Sequence, residues 1–267
     1  MRKLNNLFEA NKGRGSPLAM TRNGAEVTIE VYDVLVSSEA DAAYYGGVAA
    51  DAFCRDLRGL TAEDTLHIRI NSPGGDVFAG VAMAQAIRET SERGAQVVVH
   101  VDGYAASAAS LLVAAAERSV IAPAAMVMIH KAWTIALGNS DDFTKAAGLL
   151  NKIDGEIAAS YMARAGGDLD GWLAAMAAET WYTGREAVDA GLVHELATAA
   201  AKTRNSFDLS VYDHAPKLAP EPAPELAPAP AAEPAPEIAN TAEADTAAAA
   251  DIERRRRIAR ATLATAA

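Results

Sequence analysis

The stretch LHIRINSPGGDVFAGVAMAQAIRETSERGAQVVVHVDG, residues 66–103, decides the fold. Leu66, Ile68 and Ile70 alternate with polar residues, the two-residue period of a half-buried strand. The strand ends at Asn71-Ser72-Pro73-Gly74-Gly75, where proline lacks an amide hydrogen and glycine tolerates positive φ. A helix is predicted from about Phe78 to Arg93. Gln96 to Val101 then reads as a strand so apolar that both its faces should be covered. Strand, helix and strand at this spacing form a βαβ unit and imply a mainly parallel sheet.

The same alternation continues on both sides. Val27, Ile29 and Val31 mark an earlier strand, and helical spacing follows from about Tyr45 to Leu60. After Asp102-Gly103 an alanine-rich helix is predicted from about Ser107 to Ala116, then short strands near Ser119–Ile121 and Met126–Ile129. A long helix runs from about Asp141 to Arg164 and stops at Gly166-Gly167. A shorter helix, about Leu169 to Ala178, precedes a last turn, helix and strand from Trp181 to Leu196. The folded domain is therefore placed at residues 25–198. Residues 1–24 carry no apolar period and read as a flexible lead-in.

Beyond Ala215 the character changes. Eight of the eleven prolines fall between Pro216 and Pro236, interleaved with alanine and glutamate. Residues 199–250 are expected to form a disordered, extended Ala/Pro/Glu-rich linker with no core of its own. Residues 251–267 carry Arg254, Arg255, Arg256, Arg257 and Arg260 and read either as a short basic helix that docks on an acidic partner or as a solvated tail.

Composition excludes several classes. A formal net charge of -11 argues against nucleic acid as the main ligand, because phosphate binding draws on surplus lysine and arginine. Cys54 is the single cysteine, so neither an internal disulfide nor a cysteine zinc site is available, and a cytoplasmic setting fits. His67, His100, His194 and His214 lack metal-ligand spacing, so no metal and no cofactor is expected. No run reaches the roughly 18 apolar residues of a membrane span, and no secretory leader is read at the N-terminus.

Two strand-to-helix turns carry the candidate chemistry. Such turns expose a side chain at the carboxyl edge of a sheet, while the helix start leaves backbone N–H groups unpaired. At Asn71–Asp76 the amides of Gly75 and Asp76 are candidates to face a carbonyl oxygen. At Gly103–Ala108, Ser107 sits where strand gives way to helix, with Ser110 a competitor one turn deeper. His130 ends the apolar strand Met126-Val127-Met128-Ile129. Taken singly, each is a common structural feature: a turn, an N-cap serine, a strand-end histidine. Together they supply nucleophile, base and oxyanion donors.

These residues resemble the Clp protease proteolytic subunit (ClpP) family. Ile70-Asn71-Ser72-Pro73-Gly74-Gly75 is similar to its oxyanion loop, Gly103-Tyr104-Ala105-Ala106-Ser107 to its nucleophile motif and Met128-Ile129-His130 to its histidine motif. Trp181-Tyr182-Thr183-Gly184-Arg185-Glu186-Ala187, with Gly191-Leu192-Val193, is similar to its closing turn and helix. The resemblance spans about residues 26–196. It implies an α/β Clp protease/crotonase-like fold with a long handle helix. It also implies Ser107 as nucleophile, His130 as general base, and the amides of Gly75 and Ala108 as oxyanion donors. The family's third triad member is an aspartate, and Glu179 stands at that position, with Asp168 and Asp170 as fallbacks. Asp76 replaces a usual aliphatic residue and should turn its carboxylate away.

The resemblance further implies a ring-forming homo-oligomer, stacked through the Asp141–Arg164 helix, that cuts extended polypeptides. Asp76, Glu179-Thr180-Trp181 and the long extension look most like the head maturation proteases of phages and prophages, which cut scaffold or capsid proteins. That places the enzyme in a host cytoplasm or an assembling prohead. Alternatives are a housekeeping-type subunit working with a Clp ATPase, and an inactive assembly or scaffold protein. A signal-peptide peptidase would use a serine–lysine dyad and an anchor, and a crotonase-like acyl-CoA enzyme would not need Ser107 with His130.

Overall fold

A computed structural model describes residues 3–198 and 207–216. Residues 199–206 and the greater part of the Ala/Pro/Glu-rich linker, together with the basic C-terminal stretch, lie outside them.

The parallel sheet is present. Strands β1 (Ala19–Asn23), β2 (Glu26–Val31), β5 (Thr65–Ser72), β6 (Gln96–Ala106), β7 (Arg118–Ile121) and β10 (Glu195–Leu196) lie in the order β1-β2-β5-β6-β7-β10. All neighbours in that path are parallel except the β1–β2 hairpin. One face of the sheet carries Val27, Ile29, Ile68, Ile70, Val99 and Val101, each at most 1% exposed. They pack on α3 (Ala50–Arg58), α4 (Val77–Glu92) and α5 (Ser110–Ala115) through Phe53, Leu57, Met83, Ile87 and Leu112. The opposite face is polar: Arg69 and Tyr32 both donate to the buried carboxylate of Asp102, at 2.6 and 2.5 Å. His67 Nδ1 lies 3.0 Å from His100 Nε2 on the same face.

The length of β6 sets up the site. It runs to Ala106, past the expected end at Asp102-Gly103. Its first half pairs with β7, and its last residues pair in parallel with β8 (Met126–Ile129), Ala106 opposite Met128. In turn β8 pairs antiparallel with β9 (Thr180–Thr183). Residues that follow β6 and β8 therefore emerge side by side, about 5 Å apart as in any paired strands.

The segment expected as one helix from Tyr45 to Leu60 divides into α2 (Glu39–Tyr45), β4 (Val48–Ala49) and α3, because Gly46 and Gly47 take positive φ. The β4 strand pairs with β3 (Leu35–Val36) in a separate two-stranded ladder. The long helix is α6 (Ser140–Ala165), opened by an Asn139–Asp142 capping box and stopped at Gly166. After it come α7 (Leu169–Ala177) and α8 (Gly184–Asp189).

The N-terminal stretch departs from expectation. Instead of an irregular lead-in it forms α1 (Lys3–Asn11) and β1. Leu7 and Phe8 are buried with Phe207, Leu209, Val211 and Tyr212. Their partners are some two hundred positions away, so the apolar face of α1 has no local signature.

Candidate active site

Ser107 follows β6 and opens the single helical turn Ser107–Ala109 that leads into α5. Its φ is 54°, a left-handed conformation costly for a residue with a side chain, held here by the packing around it. The Ser110 hydroxyl donates to the Ser107 carbonyl at 2.5 Å and meets the Tyr161 hydroxyl of α6 at 2.7 Å. Ser110 is itself 1% exposed. Its hydroxyl braces the turn, which removes it as a rival to Ser107.

His130 follows β8. The parallel register carries the imidazole to Ser107, whose Oγ lies 2.7 Å from His130 Nε2. The ring is 9% exposed and rests against Trp133, centroids 4.5 Å apart. Trp133 thus walls the imidazole.

The Pro73-Gly74-Gly75 loop lies against the Ser107 turn. Gly74 has φ 92°, and a Cβ there would stand 2.7 Å from both the Ala106 carbonyl oxygen and Ser107 Cβ. Gly75 has φ 152°, and its Cβ would lie 2.2 Å from the Leu35 carbonyl oxygen. Only glycine fits so close an approach. From the far side, Leu35 N–H donates to Gly74 O and Asp76 N–H to Leu35 O. The Asp76 amide is therefore occupied, which corrects its expected place among the oxyanion donors. Its side chain turns to cap α4, accepting from Ala79 N–H at 2.8 Å. Among the described residues no backbone carbonyl takes the amide hydrogens of Gly75 or Ala108.

Asp33 supports this loop from beneath. Its backbone carbonyl accepts from the Ser72 hydroxyl at 2.6 Å, and that hydroxyl in turn accepts from Gly74 N–H. Burial pushes the Asp33 carboxyl up to about 6, against the opposing hydrogen bonds from the Val34 and Gly47 amides.

Glu179 takes a different place from the one its sequence position suggests. Its φ is 49°, and its carboxylate accepts from the backbone N–H groups of Asp213 at 3.0 Å and His214 at 2.6 Å. A longer 3.4 Å contact comes from the Trp181 indole. Among the described residues its hydrogen bonds thus go to the 207–216 segment and Trp181. Asp168 caps α7 and Asp170 lies exposed in the first turn of that helix, so neither fallback enters the site.

A cavity of about 410 Å³ opens beside Ser107 and His130. Gly75 and Ala108 form its polar rim, and Leu111, Leu150, Ile153 and Tyr161 its apolar wall. Among the described residues no group of three His, Cys, Asp or Glu gathers as a metal site, and no helix is long and apolar enough to cross a membrane.

The family model described as Clp protease matches residues 28–200. The chain belongs to the Clp protease family. It is 26% identical over 204 residues to the ATP-dependent Clp protease proteolytic subunit 2 of Cutibacterium acnes, covering 73% of this chain and 94% of the relative. It is 34% identical over 134 residues to the ATP-dependent Clp protease proteolytic subunit of Bacteroides thetaiotaomicron, covering 49% and 59%. A third relative is the proteolytic subunit of Chlorella vulgaris, 29% identical over 143 residues, covering 52% and 70%. Membership makes the protein a serine-type endopeptidase of mixed α/β fold.

Sequence reasoning missed Tyr212. Its hydroxyl donates to the Pro73 carbonyl at 2.5 Å, and its ring lies 5.4 Å from that of His130. A single tyrosine ahead of a proline-rich stretch carries no motif that flags it.

Proposed function

We propose that Ser107 is the nucleophile and His130 the general base of peptide hydrolysis, with the Gly75 and Ala108 amides as oxyanion donors. The observation that carries this reading is the 2.7 Å approach of Ser107 Oγ to His130 Nε2 at the mouth of the cavity. As Oγ attacks the scissile carbonyl carbon, its proton passes to Nε2. The carbonyl oxygen, gaining charge, meets the two amide hydrogens. The imidazolium then protonates the leaving amine, the C–N bond breaks, and an acyl-serine remains. Water repeats the sequence: its proton goes to Nε2, its oxygen attacks the ester, and Ser107 is regenerated. The apolar wall of the cavity favours an uncharged, aliphatic side chain on the acyl side of the cut bond.

A fluorophosphonate probe tests this directly. Intact-mass and peptide mapping should place one adduct on Ser107, absent in Ser107→Ala and slowed by roughly 10³ or more in His130→Ala. An adduct on another residue, or equal labelling of His130→Ala, defeats the assignment.

The working form is proposed as a homo-oligomeric ring, with Phe143 and Leu149 on α6 exposed for contact between copies. The finer role proposed is head maturation in a phage or prophage, where the substrates are scaffold or capsid proteins. Its support is the extension past residue 200, where the family match ends. Incubation with a scaffold protein encoded beside it should give discrete fragments, and none with Ser107→Ala.

A further inference from the structure

Residues 207–216 lie beyond the part of the chain that matches the family, yet they reach its reacting groups. The segment is anchored on both sides of Tyr212. On one side Asn11, fully buried on α1, donates to the Asp208 carbonyl at 3.0 Å and accepts from the Asp208 amide at 2.6 Å. Phe207, Leu209 and Val211 are buried with Leu7, Phe8, Val34 and Val36. On the other side Glu179 takes the amides of Asp213 and His214, and the His214 ring meets the Ala178 carbonyl at 3.0 Å.

Held this way, Tyr212 is 4% exposed and touches both the oxyanion loop and the imidazole. Its hydroxyl donates to Pro73 O, at the start of the oxyanion loop. Its ring meets His130 edge-on and packs on Trp133 and Trp181, at 5.3 and 6.0 Å.

We propose that Tyr212 is a positioning residue of the hydrolytic site, and that Glu179 serves catalysis by clamping the segment that carries it. Gly74 and Gly75 give the oxyanion loop freedom to rotate, and the amide of Gly75 is useful in one orientation only. Three bonds remove that freedom: Tyr212 holds Pro73 O, the Ser72 hydroxyl holds Gly74 N–H, and Leu35 holds Gly74 O. Meanwhile the Tyr212 ring keeps water from one side of the imidazole and confines its rotation. Burial drives the phenol pKa upward, so it remains a donor at neutral pH. The segment is a wall and not a plug. The cavity beside Ser107 stays open with Tyr212 in place, and Tyr212 is not among the residues that line it.

This inference rests on Ser107 and His130 being the reacting pair. The test uses the full-length chain, a fluorophosphonate and an N-blocked leucyl fluorogenic amide. Thermal melts and assembly size accompany each variant. Tyr212→Phe removes one oxygen and should lower the acylation rate and kcat about tenfold while KM moves less than about twofold, as expected for one lost hydrogen bond. Tyr212→Ala should lose more. Glu179→Ala should match Tyr212→Phe, and the double variant should be no slower than either single one, because both act through the same contact.

A Tyr212→Phe enzyme as fast as wild type overturns the proposal. So does a faster Tyr212→Ala, which would make the segment a cover. Additive losses in the double variant overturn the role given to Glu179. If wild-type Ser107 takes no label at all, the hydrolytic assignment falls and this inference with it. If wild type labels and Ser107→Ala does not, the Tyr212 variants judge the inference alone.

Discussion

Replacing Gly74 with alanine perturbs the site where the loop meets the Ser107 turn. The native φ of 92° lies in the left-handed region, where a Cβ costs about 1–2 kcal/mol in backbone strain alone. The new methyl would also stand 2.7 Å from the Ala106 carbonyl oxygen, 2.7 Å from Ser107 Cβ and 3.3 Å from the Ala108 amide nitrogen. None of these is the free end of a flexible side chain. Loop and Ser107 turn must therefore separate, moving the amides of Gly75 and Ala108 off the shared target proposed for them. Losing one oxyanion donor typically slows acyl transfer by about 10²–10³. Stability should fall by roughly 2–4 kcal/mol, the range of named backbone and packing lesions. The assay is the second-order rate of fluorophosphonate acylation, measured on protein that circular dichroism shows to be folded. Wild-type acylation by folded Gly74→Ala would refute the claim that this loop and the Ser107 turn build one site.

Stability should also depend on pH through two groups with opposite signs, one buried and one half-buried. The folded-state pKa of Asp33, about 6, lies above the unfolded value. Its contribution is therefore complete below about pH 4 and lost as pH rises through 6, on the order of 2–3 kcal/mol. His100 runs the other way: burial, then Arg69, His67 and Arg118, push it down to about 4. Its contribution is present above about pH 6.5 and lost as pH falls through 4. Urea unfolding between pH 4 and 7 should show Asp33→Asn flattening the first slope and His100→Leu the second; variants that leave both slopes unchanged would contradict these assignments. Asn11→Ala strips two hydrogen bonds from Asp208 and should cost about 2–4 kcal/mol. It should also raise proteolytic sensitivity near residue 207, read by limited digestion and mass mapping.

The parts of this architecture visible in sequence are those with local causes. Alternation at Leu66, Ile68 and Ile70 and the valine run at 97–101 reflect strands whose inner face meets helices, and both appear as drawn. Ser107 and His130 stood out because each ends such a strand. What periodicity does not encode is the pairing of β6 with β8, which brings the two ends together. The length of β6 was underestimated because Gly103, Tyr104 and Ala105 read as a turn, whereas β8 supplies them with a pairing partner. The fold of residues 3–23 was hidden for a related reason. Leu7, Phe8 and Asn11 make sense only beside residues 207–212, and no local pattern announces a contact across 197 positions.

Glu179 shows where motif reasoning stops. Position in the motif indicates which residue stands near the imidazole, but a carboxylate goes to whichever donors it reaches with least strain. Glutamate carries one methylene more than the family's aspartate, and here it projects from a residue with φ 49°. Two backbone amides from residues 213 and 214 converge on it, at 3.0 and 2.6 Å. Two N–H groups aimed at one carboxylate make charge-assisted hydrogen bonds, stronger than neutral ones, and hold it in place. Those donors belong to a stretch outside the family match, which no comparison of motifs would bring into view. The acidic residue and the added segment therefore have to be read together: the segment gives the longer side chain its partners, and the side chain fixes the segment with Tyr212 against His130.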